Sequence, residues 1–387
     1  MTTTAERYRA YAGPPLFAMG FRPFFFFGAV WAALTIPLWV GALLGWAPQL
    51  TRDWHVHEML FGYLGAIVAG FLLTAVPNWT GRLPVTGAPL ALLFSLWATG
   101  RIAMLIAPAD AITAWIDSLF LFALAAVIAR EVIAGRNLRN LPVCVLVSVL
   151  AGANLMTHLR GAGVDSVLGE RIALAVVAML VALIGGRITP SFTRNWMAKR
   201  SMAPEPASPA RFDAAGLLAV AAALAAWLFA PDAAFAGVAL VCAGALTIMR
   251  LARWQGWRTF AEPLVTILHV GYLWLGAAFV LLGASVLAPA LIARAAGVHA
   301  LTAGAFGVMT LAVMTRATRG HTGQTLTADR VTVAIYACVN LGAALRVASA
   351  LMPAHYTSLL IASALVWSGA FALFAAAYGP LLLRARR

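Results

Sequence analysis

The sequence predicts an all-α, polytopic membrane protein of about twelve transmembrane helices, and three observations carry that prediction. Apolar runs of about twenty residues recur along the chain, the length that crosses a bilayer as a helix. Charged residues make up only 10% of the chain and hydrophobic residues 63%, with a mean hydropathy of +0.89; a soluble domain carries roughly a quarter charged residues. The basic residues are also sorted by side: of 27 Lys and Arg, 21 fall on alternate loops and the two termini, four on the opposite loops and two inside spans. That bias predicts cytoplasmic N- and C-termini. The net charge of +14 is thereby explained by topology, with the lipid bilayer and not nucleic acid as its counterpart.

The spans are expected at about 20–46, 56–77, 88–107, 111–134, 141–159, 170–188, 212–230, 233–251, 263–290, 299–317, 331–351 and 357–382. Together they form one integral membrane domain over 1–387, with six helices over about 20–188, a cytoplasmic linker at 189–211 and six helices over about 212–382. The first apolar segment is longer than a signal-peptide core and has no small-residue cleavage site, so it reads as a retained helix. It opens with Phe21-Arg22-Pro23-Phe24-Phe25; Pro suits a helix start and the aromatics suit the interfacial belt.

The second span is headed by Trp54-His55-Val56-His57-Glu58, with Asp53 placed to cap it. No further charge follows until Arg82, and Pro77-Asn78-Trp79-Thr80-Gly81 closes the run. Gly62, Gly65 and Gly70 allow close approach of another helix or of a flat cofactor, with helix packing the preferred reading. The third span carries Arg101 and the fourth Asp117, both toward the periplasmic end. An isolated arginine at that depth needs a counter-charge, either Asp117 or the carboxylate of a bound cofactor. The eleventh span repeats the pattern with Asn340 and Arg346. The linker begins with Arg187-Ile188-Thr189-Pro190-Ser191-Phe192-Thr193-Arg194-Asn195, and its remainder, Lys199 to Ala210, reads as a flexible connector with Pro204, Pro206 and Pro209.

Three cysteines, Cys144, Cys242 and Cys338, lie singly in three spans, which excludes thiolate clusters and c-type haem attachment. The seven histidines are more informative. His55, His57, His158 and His299 are expected at periplasmic span ends, His355 in the turn before the last span, and His269 and His321 on the cytoplasmic side. A lone interfacial histidine is explained by hydrogen bonds to headgroups and water. Four of them together with Arg101 and Arg346 at similar depth point to ligation, since imidazole is a common ligand of iron and copper.

Helical geometry refines this. Residues i and i+2 point roughly 200° apart, so His55 and His57 are expected to serve two centres or two roles. His55 and Glu58, at i and i+3, share a face, which makes Glu58 an acceptor for a ligand or a proton carrier. Asn154 lies one turn before His158 and is placed to steer it. The tenth span is about 30 Å long, so His299 and His321 cannot meet, and ligation by His321 implies a second, cytoplasmic centre. Tyr272, one turn beyond His269, is a hydrogen-bonding or redox neighbour for that centre.

These motifs resemble the NnrS family of bacterial inner-membrane proteins associated with nitric oxide and denitrification. The resemblance runs over nearly the whole chain. It is carried by Phe21-Arg22-Pro23-Phe24-Phe25, Trp54-His55-Val56-His57-Glu58-Met59-Leu60-Phe61-Gly62, Asn78-Trp79-Thr80-Gly81, Gly100-Arg101, Gly185-Gly186-Arg187-Ile188-Thr189-Pro190-Ser191-Phe192-Thr193, Leu268-His269-Val270-Gly271-Tyr272, His299-Ala300-Leu301-Thr302-Ala303-Gly304-Ala305 and Thr318-Arg319-Gly320-His321.

The resemblance implies a multi-pass protein of the bacterial inner membrane with haem b and copper. Its expected action is to reduce or detoxify nitric oxide, with electrons from quinol or a cytochrome partner. His55, His57, His158, His269, His299 and His321 are then the metal-ligand candidates. Arg101 and Arg346 become partners for haem propionates, and Glu58 and Tyr272 catalytic candidates. The chain departs from the haem–copper oxidases in having no adjacent His-His pair and no His-x-x-x-Tyr pair. Two other functional classes remain open at this point, a non-catalytic nitric oxide or metal-binding assembly protein and a membrane transporter.

Overall fold

The computed structural model describes residues 11–47, 49–159, 165–203, 206–207 and 210–384. Arg7, Arg9, Arg160, Arg386, Arg387 and the linker residues Pro204 and Pro209 lie outside the described residues. Among the described residues the fold is all-helical, with twelve helices long and apolar enough to cross a membrane. They are α1 (Phe21–Leu43), α2 (Arg52–Thr80), α3 (Ala88–Ile106), α4 (Ala111–Ala134), α5 (Leu141–His158), α6 (Ser166–Ala198), α7 (Arg211–Phe229), α8 (Ala234–Arg253), α9 (Pro263–Leu287), α10 (Arg294–His321), α11 (Arg330–Leu351) and α12 (Tyr356–Leu383). Large apolar side chains such as Ile106, Phe229 and Leu291 stand exposed, as on a surface that faces lipid. This is a multi-pass membrane protein.

Helix ends are set by polar side chains that accept the first-turn N–H groups. Asp110 caps α4 through Ile112 N at 2.7 Å, Glu262 caps α9 through Leu264 N at 3.1 Å, and Asp329 caps α11 through Thr332 N at 2.8 Å. At α2 the cap is Thr51, whose hydroxyl accepts from Trp54 N at 3.3 Å. Asp53 lies inside the helix and pairs with Arg52 at 3.1 Å, so the expected cap is displaced by two residues. Gly81, left-handed at φ 69°, ends α2.

Among the described residues, three helices contain a wider π-helical segment: Glu58–Tyr63 in α2, Val181–Gly185 in α6 and Ala300–Phe306 in α10. Such segments release the regular hydrogen-bond ladder and recur at functional positions. The sixth helix extends well past the expected end: Gly186–Ala198 continues the α-helix through Pro190, so the Thr189–Arg194 motif is helical and the connector starts after Ala198. The π-helical segment just before it accommodates the chain on its way to Pro190.

Contacts divide the chain into two compact units. The first comprises residues 1–176 with 321–323 and 375–387; the second comprises 177–320 and 324–374. In the first unit the aromatics of α1 are core residues and not an interfacial belt: Phe21, Phe24 and Phe25 are at most 1% exposed. Phe24 packs edge-on against Phe94 and Phe25 lies over Gly70. Lipid is as apolar as these rings, so the gain is close packing and not escape from water. Arg22 is buried beside them and donates to the carbonyls of Leu382 at 3.1 Å and Arg384 at 2.7 Å, closing the end of α12.

The second unit uses glycine pairs for close helix approach. A Cβ on Gly244 of α8 would lie 2.7 Å from the Gly276 carbonyl of α9, and one on Gly237 would lie 3.1 Å from the Gly283 carbonyl. These two rungs, seven residues apart on both helices, bring the backbones together as small-residue seams do in membranes.

Candidate functional site

In the first unit, antiparallel helices with short connections bring the start of α2, the end of α3, the start of α4 and the end of α5 to the same end of the bundle. Each of these ends carries a polar side chain that its own helix cannot satisfy: His57 and Glu58, Arg101, Asp117, and Asn154 with His158. All but His158 are at most 5% exposed. Buried charge in an apolar surrounding is tolerated only when paired and hydrogen-bonded, and here the four helices supply one another's partners.

The bonds form a closed network. Arg101 Nη1 donates to Glu58 Oε1 at 2.8 Å and to Oε2 at 2.7 Å, while its Nη2 pairs with Asp117 Oδ1. Trp31 of α1 donates its indole N–H to Glu58 Oε2 at 2.8 Å. His57 places Nδ1 2.9 Å from Glu58 Oε1 and Nε2 2.8 Å from Asn154 Oδ1 and 3.1 Å from Asp117 Oδ2. His158 Nε2 lies 3.0 Å from the same Asp117 oxygen, which also accepts from Asn154 Nδ2 at 2.8 Å. The two imidazole centroids are 4.8 Å apart.

Gly62 makes the network sterically possible. A Cβ there would stand 2.5 Å from Arg101 Nη1 and 2.9 Å from both Glu58 Oε2 and Trp31 Nε1. Its carbonyl accepts from Trp97 Nε1 at 2.9 Å. The small residues of α2 therefore serve packing: Gly65 lies against Leu121 and Phe120, and Gly70 against Phe25.

One ligand atom each from His57, Asp117 and His158 lies within 4.8 Å of the others, the metal-capable group found among the described residues. Metal–ligand bonds of about 2.0–2.2 Å in a tetrahedral site set ligand atoms about 3.4 Å apart. The 3.0–3.1 Å separations between Asp117 Oδ2 and the two Nε2 atoms need to open only slightly to admit an ion. Glu58, accepting from Nδ1–H of His57, leaves Nε2 of that ring as the ligand atom, the device by which a carboxylate orients a metal-binding histidine.

Among the described residues of the first unit, neither His55 nor His321 is in this group. His55 points away from His57, as the two-residue spacing requires, and its ring stacks on Trp39 at 4.2 Å and 20°. His299 belongs to the second unit, with Nδ1 2.7 Å from the Ala295 carbonyl one turn earlier. Of the four histidines expected together, His57 and His158 are in contact within the first unit. Glu58 bonds to His57 and not in the i, i+3 manner expected with His55, because its rotamer is fixed by Arg101 and Trp31 on other helices. Of the two partners weighed for Arg101, the structure has Asp117, with Glu58 added. Asn154 steers His57 directly and reaches His158 through Asp117.

Arg346 lies in the second unit and donates to Ser349 Oγ at 2.7 Å. Asn340 of the same helix accepts from Trp274 Nε1 at 2.9 Å. His269, also in the second unit, is 6% exposed and holds Nε2 2.8 Å from Thr193 Oγ1. Tyr272 is fully buried; its hydroxyl accepts from Arg250 Nη1 at 2.8 Å and donates to the Ala182 carbonyl at 3.2 Å. His269 and Tyr272 therefore serve different partners. His321 is grouped with the first unit, its ring 5.4 Å from that of Phe21.

Two groups escaped the sequence reading. Trp31 had only the signal of an indole inside an apolar span, which must find an acceptor. Arg250, which the sorting of basic residues by side counts with the loops, is 2% exposed and pairs with Asp213 at 3.2 Å.

Comparison with known families returns one described as NnrS protein, matched over residues 15–386. Among curated proteins no relative matches.

Proposed function

The chain belongs to the NnrS family, and on that premise we propose that it is a copper-binding protein of the bacterial inner membrane that acts on nitric oxide. The observation that carries this reading is the convergence of His57 Nε2, His158 Nε2 and Asp117 Oδ2 inside an otherwise apolar bundle. Two imidazoles and a carboxylate suit copper, and ionisable groups within a membrane mark function. When bound, copper supplies a one-electron centre with affinity for nitric oxide.

The protein's own residues prepare that site. Glu58 fixes the tautomer and plane of His57. Arg101 binds Glu58 and Asp117 together, so the two carboxylates do not repel each other apart. Trp31, Trp97 and the buried faces of α1–α4 exclude water. With every hydrogen bond of Glu58 directed inward and no exposed surface, its role is to orient.

The family is associated with haem as well as copper. An axial imidazole needs one nitrogen turned to an open face. His269 Nδ1 is buried with no hydrogen-bond partner among the described residues, but a Cβ on Gly256 would stand 2.5 Å from that nitrogen, and Nε2 is held by Thr193. His57 and His158 face Asp117. The surroundings of His57, His158 and His269 do not fit a macrocycle.

The reaction proposed is reduction: two nitric oxide molecules, two electrons and two protons give nitrous oxide and water, with quinol or a cytochrome as electron source. Anaerobic incubation of copper-loaded, purified protein with reductant and nitric oxide tests it. Nitrous oxide formed over many turnovers is expected, and is lost in His57→Ala. Stoichiometric uptake of nitric oxide without nitrous oxide would instead make the protein a binder.

A further inference from the structure

We infer that the buried site of the first unit is charge-matched to the monovalent, cuprous ion; this rests on the reading of His57, Asp117 and His158 as copper ligands. Glu58 is 0% and Asp117 1% exposed. The oxygens of Glu58 face Arg101, the Trp31 indole N–H and His57, and those of Asp117 face Arg101, Asn154 and the two imidazoles. Partners of this kind stabilise ionised carboxylates. Against two negative charges stands one positive charge, that of Arg101. Among the described residues no other charged side chain is bonded to either carboxylate. With an ion on their Nε2 atoms both imidazoles are neutral, so the side chains then contribute a net charge of −1 in a largely buried setting.

Uncompensated charge in such a place is costly. A monovalent ion brings the set to zero. A divalent ion leaves it at +1 and needs a further anion. Donor type alone argues weakly the other way, because a carboxylate oxygen is a hard ligand. Charge balance prevails here because Arg101 is held by bonds to both carboxylates and cannot move out of the site to compensate for an added charge without leaving them unpaired.

The test uses the full-length protein in detergent, titrated with Cu(I) against a chromophoric chelator under anaerobic conditions and separately with Cu(II). Glu58→Gln moves the protein's charge to 0, Arg101→Gln moves it to −2, and the double variant restores −1. The ratio of Cu(I) to Cu(II) affinity is expected to rise about tenfold in Glu58→Gln and to fall about tenfold in Arg101→Gln, about 59 mV each way for a one-electron couple. The double variant, which leaves Asp117 as the one charge in place of the two left by Arg101→Gln and so carries less folding risk, returns toward the wild-type ratio. Shifts of the same sign in both single variants, an unchanged ratio with both affinities weakened, or a double variant far from the wild-type ratio would overturn the inference. Copper that is never bound, or that is retained after loss of both histidines, would instead defeat the underlying site reading.

Discussion

Gly62→Ala is the sharpest perturbation of the buried network, because it removes nothing and adds one methyl group. That methyl would lie 2.5 Å from Arg101 Nη1 and 2.9 Å from Glu58 Oε2 and Trp31 Nε1. Overpacking of this kind costs about 1–3 kcal/mol, and displacing a hydrogen bond to a charged group costs a further ~1.5–3 kcal/mol. Alanine is better than glycine in a helix by about 1 kcal/mol. The net is a loss of roughly 2–5 kcal/mol. Gly65→Ala is the control three residues on, where the nearest atoms are at 3.6 and 3.7 Å, an ordinary contact. It is expected to be neutral or up to about 1 kcal/mol more stable. Denaturant titration of both variants in detergent measures the difference. Equal stabilities would refute the placement of Arg101 and Glu58 against α2.

Two predictions concern other parts of the molecule. Arg250→Ala removes one partner from Asp213, which keeps Arg253, and one from the Tyr272 hydroxyl, which keeps the Ala182 carbonyl, and is expected to cost about 1–3 kcal/mol, whereas Arg250→Met combined with Asp213→Leu recovers most of that loss; unfolding titrations distinguish the two. Asp329, outside the spans, is raised by partial burial, but its bonds to the Thr332 N–H and hydroxyl and to Arg319 outweigh that and hold its carboxyl below the usual range. Its contribution is therefore complete above the ordinary carboxylate pKa and lost as pH falls through the lowered one, and Asp329→Ala should cost about 1 kcal/mol at neutral pH and progressively less in acid.

The spans were legible because apolar length and the sorting of arginines are properties of the one-dimensional chain. So was the Arg101–Asp117 pair, because a buried arginine demands a carboxylate and few are present. Lateral position was not legible. His57, His158, His299 and Arg346 can share a depth in the membrane while standing on helices of different units, and depth is the only coordinate that hydropathy supplies. Glu58 shows a second limit: helical spacing lists partners on its own helix, but its rotamer is decided by Arg101 and Trp31 on two others. The cap of α2 moved from Asp53 to Thr51 because the helix begins before its apolar run, and α6 continued past Pro190 because a π-helical segment absorbs the irregularity.

Copper content of the purified chain tests the central claim most directly. Elemental analysis is expected to find one equivalent in the wild type and in His55→Ala, whose ring stacks on Trp39, and to find it lost in His57→Ala and in His158→Ala. Copper retained when His57 and His158 are both replaced, or lost equally with His55, would contradict the account.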